Sequence, residues 1–158
     1  MPAELFTNFR PSSGTRSGIV AVILSRSEIA PESSFTQVQA QDSAEALALA
    51  RRVVDLASDK QASDIVLLDI RGVSLIADYF VICTAGSERQ ASAILKDLGD
   101  KLLEEFGRKP RHTEGKPDSG WVLLDYGDVI IHVFSVDQRA FYDLEQLWAA
   151  ATPIVRLQ

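Results

Sequence analysis

The sequence predicts an α/β fold in which helices pack on one mixed β-sheet. Two long segments repeat apolar residues at helical spacing, and they alternate with short runs rich in β-branched and aromatic residues. The predicted order is helix, two strands, helix, three strands and a final helix. Because this order lacks the regular alternation of a fully parallel sheet, we expect strands of both directions in one sheet.

The first predicted helix opens the ordered part of the chain. Asp42 has Glu45 three residues later, which is the spacing of a capping box, so we expect the helix to start there and to end near residues 58–60. Residues 1–41 contain proline and serine clusters that break any period, and they are predicted to form a weakly ordered N-terminal extension. Residues 19–24 are its one stretch with strand character.

Two strands and a second helix follow. Residues 65–70 and 78–84 have strand composition, and Ser87 is a natural N-cap with Gln90 at the box position. The predicted helix carries one apolar stripe and ends at Gly107. The segment after it contains Pro110, which predicts an edge position in the sheet.

Residues 121–134 are predicted to form a hairpin at the centre of the fold. Apolar residues occupy nearly both faces of its two strands, which indicates a sheet covered on both sides. Gly127 in the turn is suited to a positive φ. The polar exceptions are Asp125 and Asp128 beside the turn and His132 in the second strand.

A final helix is predicted to bury Phe141, Leu144, Leu147 and Trp148, after which Pro153 ends the regular structure. The resulting division is an extension over residues 1–41, one domain over residues 42–150 and a C-terminal tail over residues 151–158.

Composition excludes several classes of function. The chain has 158 residues and a formal net charge of −6, so we expect no direct nucleic-acid specificity and a basic protein as partner. Residues 19–24 are too short an apolar run to cross a bilayer and show no signal-peptide pattern, so we expect no membrane association and a cytoplasmic protein. The one cysteine, Cys83, excludes an intramolecular disulfide and a multi-cysteine zinc site.

Motifs for catalysis are weak. Gly86 and Ser87 at a strand-to-helix turn resemble the opening signature of nucleotidyltransferases, but the carboxylates that would hold Mg²⁺ are missing from the following strands. Cys83 and His132 are the remaining candidates for a redox or hydrolytic site, and we interpret both as buried core residues. We therefore expect no catalytic residue, no metal and no cofactor. A residual nucleotide-binding enzyme stays as the alternative hypothesis.

Trp121 and Tyr126 favour a protein-binding patch, because both residue types dominate interface hot spots. Asp125 and Asp128 lie beside them in the sequence and suit a basic partner. We expect the four side chains to form one exposed surface, so that Trp121→Glu would abolish binding and leave the fold intact.

Four blocks of the sequence, at residues 78–87, 114–115, 120–134 and 141–148, together resemble the ribosomal silencing factor family, also called Iojap-like. The resemblance runs from about residue 44 to residue 148. It implies a nucleotidyltransferase-like fold that lacks the catalytic site.

In function, the resemblance implies a non-enzymatic regulator. Members of the family bind large ribosomal subunit protein fourteen (uL14), prevent the two ribosomal subunits from joining and repress translation. Free members are often homodimers. The resemblance places the interface on Trp121, Asp125 and Tyr126, with Asp128 as a fourth position.

Overall fold

The computed structural model describes the backbone of residues 32–158 and side chains from residue 36 onward. The helices are α1 (Glu32–Asp59), α2 (Glu88–Phe106), α3 (Val136–Tyr142) and α4 (Leu144–Leu147). The strands are β1 (Ser63–Asp69), β2 (Tyr79–Ala85), β3 (His112–Glu114), β4 (Trp121–Asp125), β5 (Val129–Ser135) and β6 (Thr152–Leu157). A short 3₁₀ turn over Pro117–Ser119 precedes β4.

The six strands form one sheet in the order β3-β4-β5-β2-β1-β6. Within residues 32–158, β2 and β5 run parallel and the other neighbouring pairs are antiparallel. The parallel pair lies at the centre because the chain crosses from β2 to β5 through α2 and the β3–β4 ribbon. The predicted α/β class and mixed sheet are confirmed.

Helices cover both faces of the sheet, as the apolar hairpin predicted. Alternate hairpin residues Val122, Leu124, Ile131 and Val133 pack with α1 and α2 on one face, the α1–α2 face. Trp121, Leu123, Ile130 and Phe134 point to the opposite, α3–α4 face. Gly127 in the turn has φ +92°, a backbone conformation that residues with a Cβ atom rarely adopt. Glycine is therefore strongly favoured at this turn.

Helix α2 begins and ends where the sequence predicts. The Ser87 hydroxyl accepts the backbone N–H of Gln90 at 3.1 Å, and the Gln90 side chain accepts the N–H of Gly86 at 2.7 Å. Gly107 closes the helix in the left-handed conformation with φ 66°. Both caps satisfy backbone groups that the helix itself leaves unpaired.

The predicted start of the first helix is wrong. α1 begins at Glu32, ten residues before Asp42, and Asp42 lies inside the helix without capping it. No proline or glycine interrupts residues 32–41, so the helix continues through them although the side chains of residues 36–42 are exposed. The strand suggested over residues 19–24 lies outside the described residues, and the division of the chain into domains stays a prediction.

The predicted end of regular structure at Pro153 is also wrong. Residues 152–157 form β6, which pairs with β1 from Asp69↔Thr152 to Ile65↔Leu157. Pro153 is tolerated because β6 is an edge strand and its register shifts between Leu67 and Leu68 of β1. A proline near a strand start is thus compatible with the strand.

The final helix is broken, which changes what it buries. Asp143 adopts φ 43° and separates α3 from α4. Leu144 is buried and Leu147 and Trp148 are half-buried against the sheet, but Phe141 is 71% exposed. The prediction for Phe141 is wrong because it assumed one continuous helix.

Candidate functional site

Trp121 is a buried anchor at the start of β4. Its side chain points to the α3–α4 face and is 3% exposed. The indole stacks on Phe134 with ring centroids 4.9 Å apart, and the Tyr142 ring of α3 lies at 4.3 Å. The indole N–H donates to Nδ1 of His132 at 3.1 Å. This tryptophan therefore fastens α3 to the sheet.

His132 is a neutral core residue. It is fully buried in the middle of β5, where desolvation and, less strongly, the charge of Arg139 lower its pKa to about 3. Because Nδ1 accepts the Trp121 N–H, the ring hydrogen must sit on Nε2, for which no partner is found among the described residues. A general base with accessible lone pairs is not formed here, in agreement with the sequence interpretation.

Asp125, Tyr126 and Asp128 shape the hairpin turn. The Asp125 carboxylate accepts the N–H of Gly127 at 2.7 Å and is 8% exposed. Tyr126 is 1% exposed and points into the core of the α1–α2 face. Asp128 is half-buried and forms a bidentate ion pair with Arg108, whose guanidinium also donates to the carbonyl of Tyr126.

The structure does not place the four predicted binding residues on one exposed surface. Trp121 faces α3 and α4, Tyr126 faces α1 and α2, and Asp128 is engaged by Arg108. The expected exposure of Trp121, Asp125 and Tyr126 is wrong for this chain, because Tyr142 of α3 covers Trp121 at the start of β4, Tyr126 is buried on the α1–α2 face and Asp125 is folded into the turn. Trp121→Glu would bury a charge, so the expectation of an intact fold is withdrawn.

Two of the exposed apolar side chains belong to α3, outside the layer that contains Trp121. Val136 is 61% exposed and Phe141 is 71% exposed, and both belong to α3. The Phe141 ring packs edge-on against Tyr142 at 5.0 Å, and Tyr142 packs on Trp121. We call the exposed Phe141 ring, together with the Tyr142 ring that supports it, the α3 face; Val136, five residues before Phe141, points to another side of this helix. The predicted Trp121 is the inner layer of this aromatic stack, and Phe141 is its outer layer.

Sequence reasoning missed Phe141 as an exposed residue. Its signal was the Phe141–Tyr142 pair, because adjacent side chains on a helix point about 100° apart and these two rings therefore face different directions. Tyr142 packs on Trp121, which leaves Phe141 as the exposed ring of the two.

A cleft of about 340 Å³ opens at the carboxyl ends of β2 and β5, beside the predicted Gly86–Ser87 turn. Ligands of α/β proteins commonly bind at such a position. The described residues that line it include Glu88 and Asp137 but no lysine or arginine. Among the described residues there is also no group of three His, Cys, Asp or Glu side chains that could hold a metal ion. These charges disfavour a nucleoside triphosphate.

Cys83 does not pair with His132. It lies on the α1–α2 face, whereas His132 points to the opposite face of the sheet. Burial raises the pKa of the Cys83 thiol to about 12, with a smaller opposing effect from Arg139. A thiol that stays protonated inside the core is a poor nucleophile, so the structural interpretation of Cys83 is confirmed.

Comparison with known proteins identifies the family. The family model described as ribosomal silencing factor during starvation matches residues 42–158. This chain belongs to the ribosomal silencing factor family. The ribosomal silencing factor of Halalkalibacterium halodurans is 46% identical over 114 residues, which cover 72% of this chain and 93% of that protein. The family resemblance seen in the sequence is confirmed.

Two further relatives show the range of the family. The chloroplastic Iojap protein of Zea mays is 41% identical over 120 residues, covering 74% of this chain and half of that protein. A crystal structure of a Chromobacterium violaceum protein has a TM-score of 0.61 and 30% identity, covering 65% of this chain and 85% of the other. Among the described residues, no helix combines the length and apolar character needed to span a membrane.

Proposed function

We propose that this chain silences ribosomes by occlusion: it binds the large subunit through protein uL14, blocks joining of the small subunit and so represses translation. Membership of the ribosomal silencing factor family supports the ribosomal role. The observation that carries the docking mode is the α3 face, where Phe141 is 71% exposed on a packed aromatic support.

The α3 face has the properties of a protein-docking surface. Aromatic side chains dominate interface hot spots, and they bind best when their own conformation is fixed before contact. Phe141 is backed by Tyr142, which is backed by Trp121, which is stacked on Phe134. A surface of this kind needs contact area and no chemistry, so we propose that the chain is not an enzyme.

The four residues selected from the sequence keep a role in this proposal. Trp121 would act indirectly, by supporting Tyr142 and Phe141. Asp128 is half-buried and paired with Arg108, so it would act with Asp125 and Tyr126 by holding the hairpin turn in shape. A chain with net charge −6 is repelled by ribosomal RNA and attracted by a basic ribosomal protein.

Two expectations complete the proposal. We place the silencing activity in the cytoplasm, and we expect the free chain to form a homodimer that gives way to ribosome binding. Analytical ultracentrifugation of the purified chain tests the second expectation. A sedimenting species of about 17 kDa at all concentrations would contradict it, since one chain has a mass of 17.3 kDa.

Substitution of Phe141 tests the docking surface. Phe141→Asp places a charge at the outer layer of the aromatic stack, and we expect at least tenfold weaker co-sedimentation with large subunits, about 1.4 kcal/mol or more. Because Phe141 is exposed, thermal stability should stay within about 1 kcal/mol of the parent.

The matched control is Leu103→Asp. Leu103 is 42% exposed on α2, on the other side of the sheet from α3, and this variant should bind large subunits as the parent does. Undiminished binding by Phe141→Asp would exclude the α3 face. Calorimetry with a nucleoside triphosphate and Mg²⁺ addresses the alternative, and measurable binding would revive a nucleotide-dependent role.

A further inference from the structure

We propose that Arg139 is the positioning residue of the α3 face: it holds α3 on the sheet so that Phe141 is presented to the partner. The inference rests on the proposed docking function. It adds a residue that the sequence did not single out and that contacts no partner itself.

The first observation is that few apolar contacts hold α3 on the sheet. None of its seven residues is fully buried, and Val136 and Phe141 point largely to solvent. Isolated helices of this length are unstable in water. The helix must therefore be held by contacts from a few side chains, and Tyr142 on Trp121 is one of them.

The second observation is the set of contacts made by the Arg139 guanidinium. Its Nη1 donates to the Thr84 hydroxyl at the end of β2 at 3.0 Å, and its Nη2 donates to the carbonyl of Asp64 in β1 at 2.8 Å. Nε and Nη2 form a bidentate pair with Glu145 of α4. One side chain, 11% exposed, thus ties α3 to two strands and to the next helix.

The third observation is that the arrangement of acceptors around Arg139 requires a guanidinium group. Three acceptors lie in different directions around one plane, and only a planar guanidinium presents enough donors to reach them all. A lysine would reach some of them as a point charge. The contacts to Thr84 and Glu145 are part-buried, so losing the cation leaves the Glu145 carboxylate without its donor.

Loss of Arg139 is expected to lower the fraction of molecules in which α3 is docked on the sheet. If α3 without Arg139 occupies its docked position for only about a tenth of the time, the apparent Kd for large subunits rises about tenfold. Arg139→Gln should show this loss, Arg139→Lys a smaller one, and amide hydrogen exchange should accelerate over residues 136–142. The remaining sheet should keep its protection.

The matched control is Arg52→Gln. Arg52 forms a bidentate pair with Glu105 that joins α1 to α2 on the far face of the sheet and is more exposed than the Arg139–Glu145 pair. This variant shows whether removal of an interhelical ion pair away from α3 weakens ribosome binding. Positioning of α3 predicts that Arg139→Gln loses affinity and Arg52→Gln does not.

A double-mutant cycle with Phe141→Ala distinguishes two roles of Arg139: positioning Phe141, or contacting the partner directly. If Arg139 acts by presenting Phe141, Arg139→Gln costs much less affinity in the Phe141→Ala background than in the parent. Equal fold-losses in both backgrounds would overturn the inference. If Arg139→Gln fails to melt cooperatively, Glu145→Gln replaces it, since this variant removes the ion pair and keeps the contacts to Thr84 and Asp64.

The outcomes distinguish this inference from the proposed function. Parent-like affinity of Arg139→Gln, together with weak binding by Phe141→Asp, would overturn the role of Arg139 and leave the docking surface in place. Parent-like affinity of both variants would exclude the α3 face, and the positioning role with it.

Discussion

The Trp121–His132 hydrogen bond shows how single residues of the hairpin serve the surface above them. The indole needs an acceptor inside the core, and a neutral imidazole provides one at 3.1 Å without introducing charge. The low pKa of His132, about 3, keeps the imidazole neutral throughout the physiological range. Protonation would abolish the acceptor and place a cation among Phe80, Trp121 and Phe134.

This arrangement predicts a pH dependence of stability. The pKa of His132 lies below its ordinary value of 6.5, so the unfolded chain binds a proton that the folded chain does not. The contribution of His132 is therefore fully present above pH 6.5 and is lost as pH falls towards 3, by up to about 1.4 kcal/mol per pH unit. Urea unfolding between pH 7 and pH 4 measures it.

His132→Gln serves as the comparison for this pH dependence. Its amide oxygen can accept the Trp121 N–H, and it does not titrate. The difference in unfolding free energy between parent and variant isolates His132 from the carboxyl groups that titrate over the same range. A difference that stays constant from pH 7 to pH 4 would contradict the buried neutral imidazole.

At the residue scale, the sequence predicted the face of the sheet on which a side chain lies better than it predicted the exposure of that side chain. Alternation along the hairpin correctly assigned Trp121 and Val122 to opposite faces, and His132 to the core. It could not show that Trp121 is covered, because the cover is Tyr142, a residue of α3, and long-range packing leaves no local pattern.

Edge strand β6 is the main difference at the scale of elements. The six residues Thr152–Leu157 complete the sheet beside β1, and Ile154 and Val155 pack partly against the core of the α1–α2 face. A proline in a short segment without apolar alternation favours a tail, so pattern reasoning had little to detect. What makes β6 a strand is the exposed edge of β1, which only the assembled sheet provides.

Deletion of β6 gives a direct prediction. A chain ending at Ala151 loses the hydrogen bonds of the β1–β6 ladder and uncovers Ile65 and Leu67, and we expect it to be at least about 2 kcal/mol less stable. Denaturant unfolding measures the loss. Removal of Gln158, which follows the strand, is the control and should cost almost nothing. Equal stability of both chains would show that residues 152–157 act as a tail.

Helix α1 is longer than the sequence predicted. The capping box at Asp42 predicted a helix start there, but the helix extends back to Glu32 because residues 32–41 contain no proline or glycine. Capping at Ser87 was predicted correctly, since Gly86 precedes it and separates the helix from β2. A capping motif is therefore decisive only where the preceding residues cannot continue the helix.

The charge of the whole molecule sets how it meets its partner. A net charge of −6 on 158 residues favours encounter with basic protein surfaces and opposes contact with phosphate. In the proposed docking mode, the apolar α3 face would then supply the short-range contact. At this scale the sequence was informative, since charge and family membership need no knowledge of packing.

Long-range attraction by charge and short-range contact by apolar side chains should respond differently to salt, which predicts the salt dependence of ribosome binding. Raising the salt concentration from 50 to 300 mM should weaken co-sedimentation with large subunits by screening long-range attraction. Phe141→Asp should weaken binding at both salt concentrations, because its contact is apolar. Binding that is insensitive to salt would contradict a role for the acidic charge.

Both tryptophans of the chain, Trp121 and Trp148, pack against the α3–α4 face of the sheet. The opposite face, under α1 and α2, contains none. Tryptophan fluorescence of this protein therefore reports on one layer of the molecule. It would change on release of α3 and α4 and would change little if the long helices on the other face loosened.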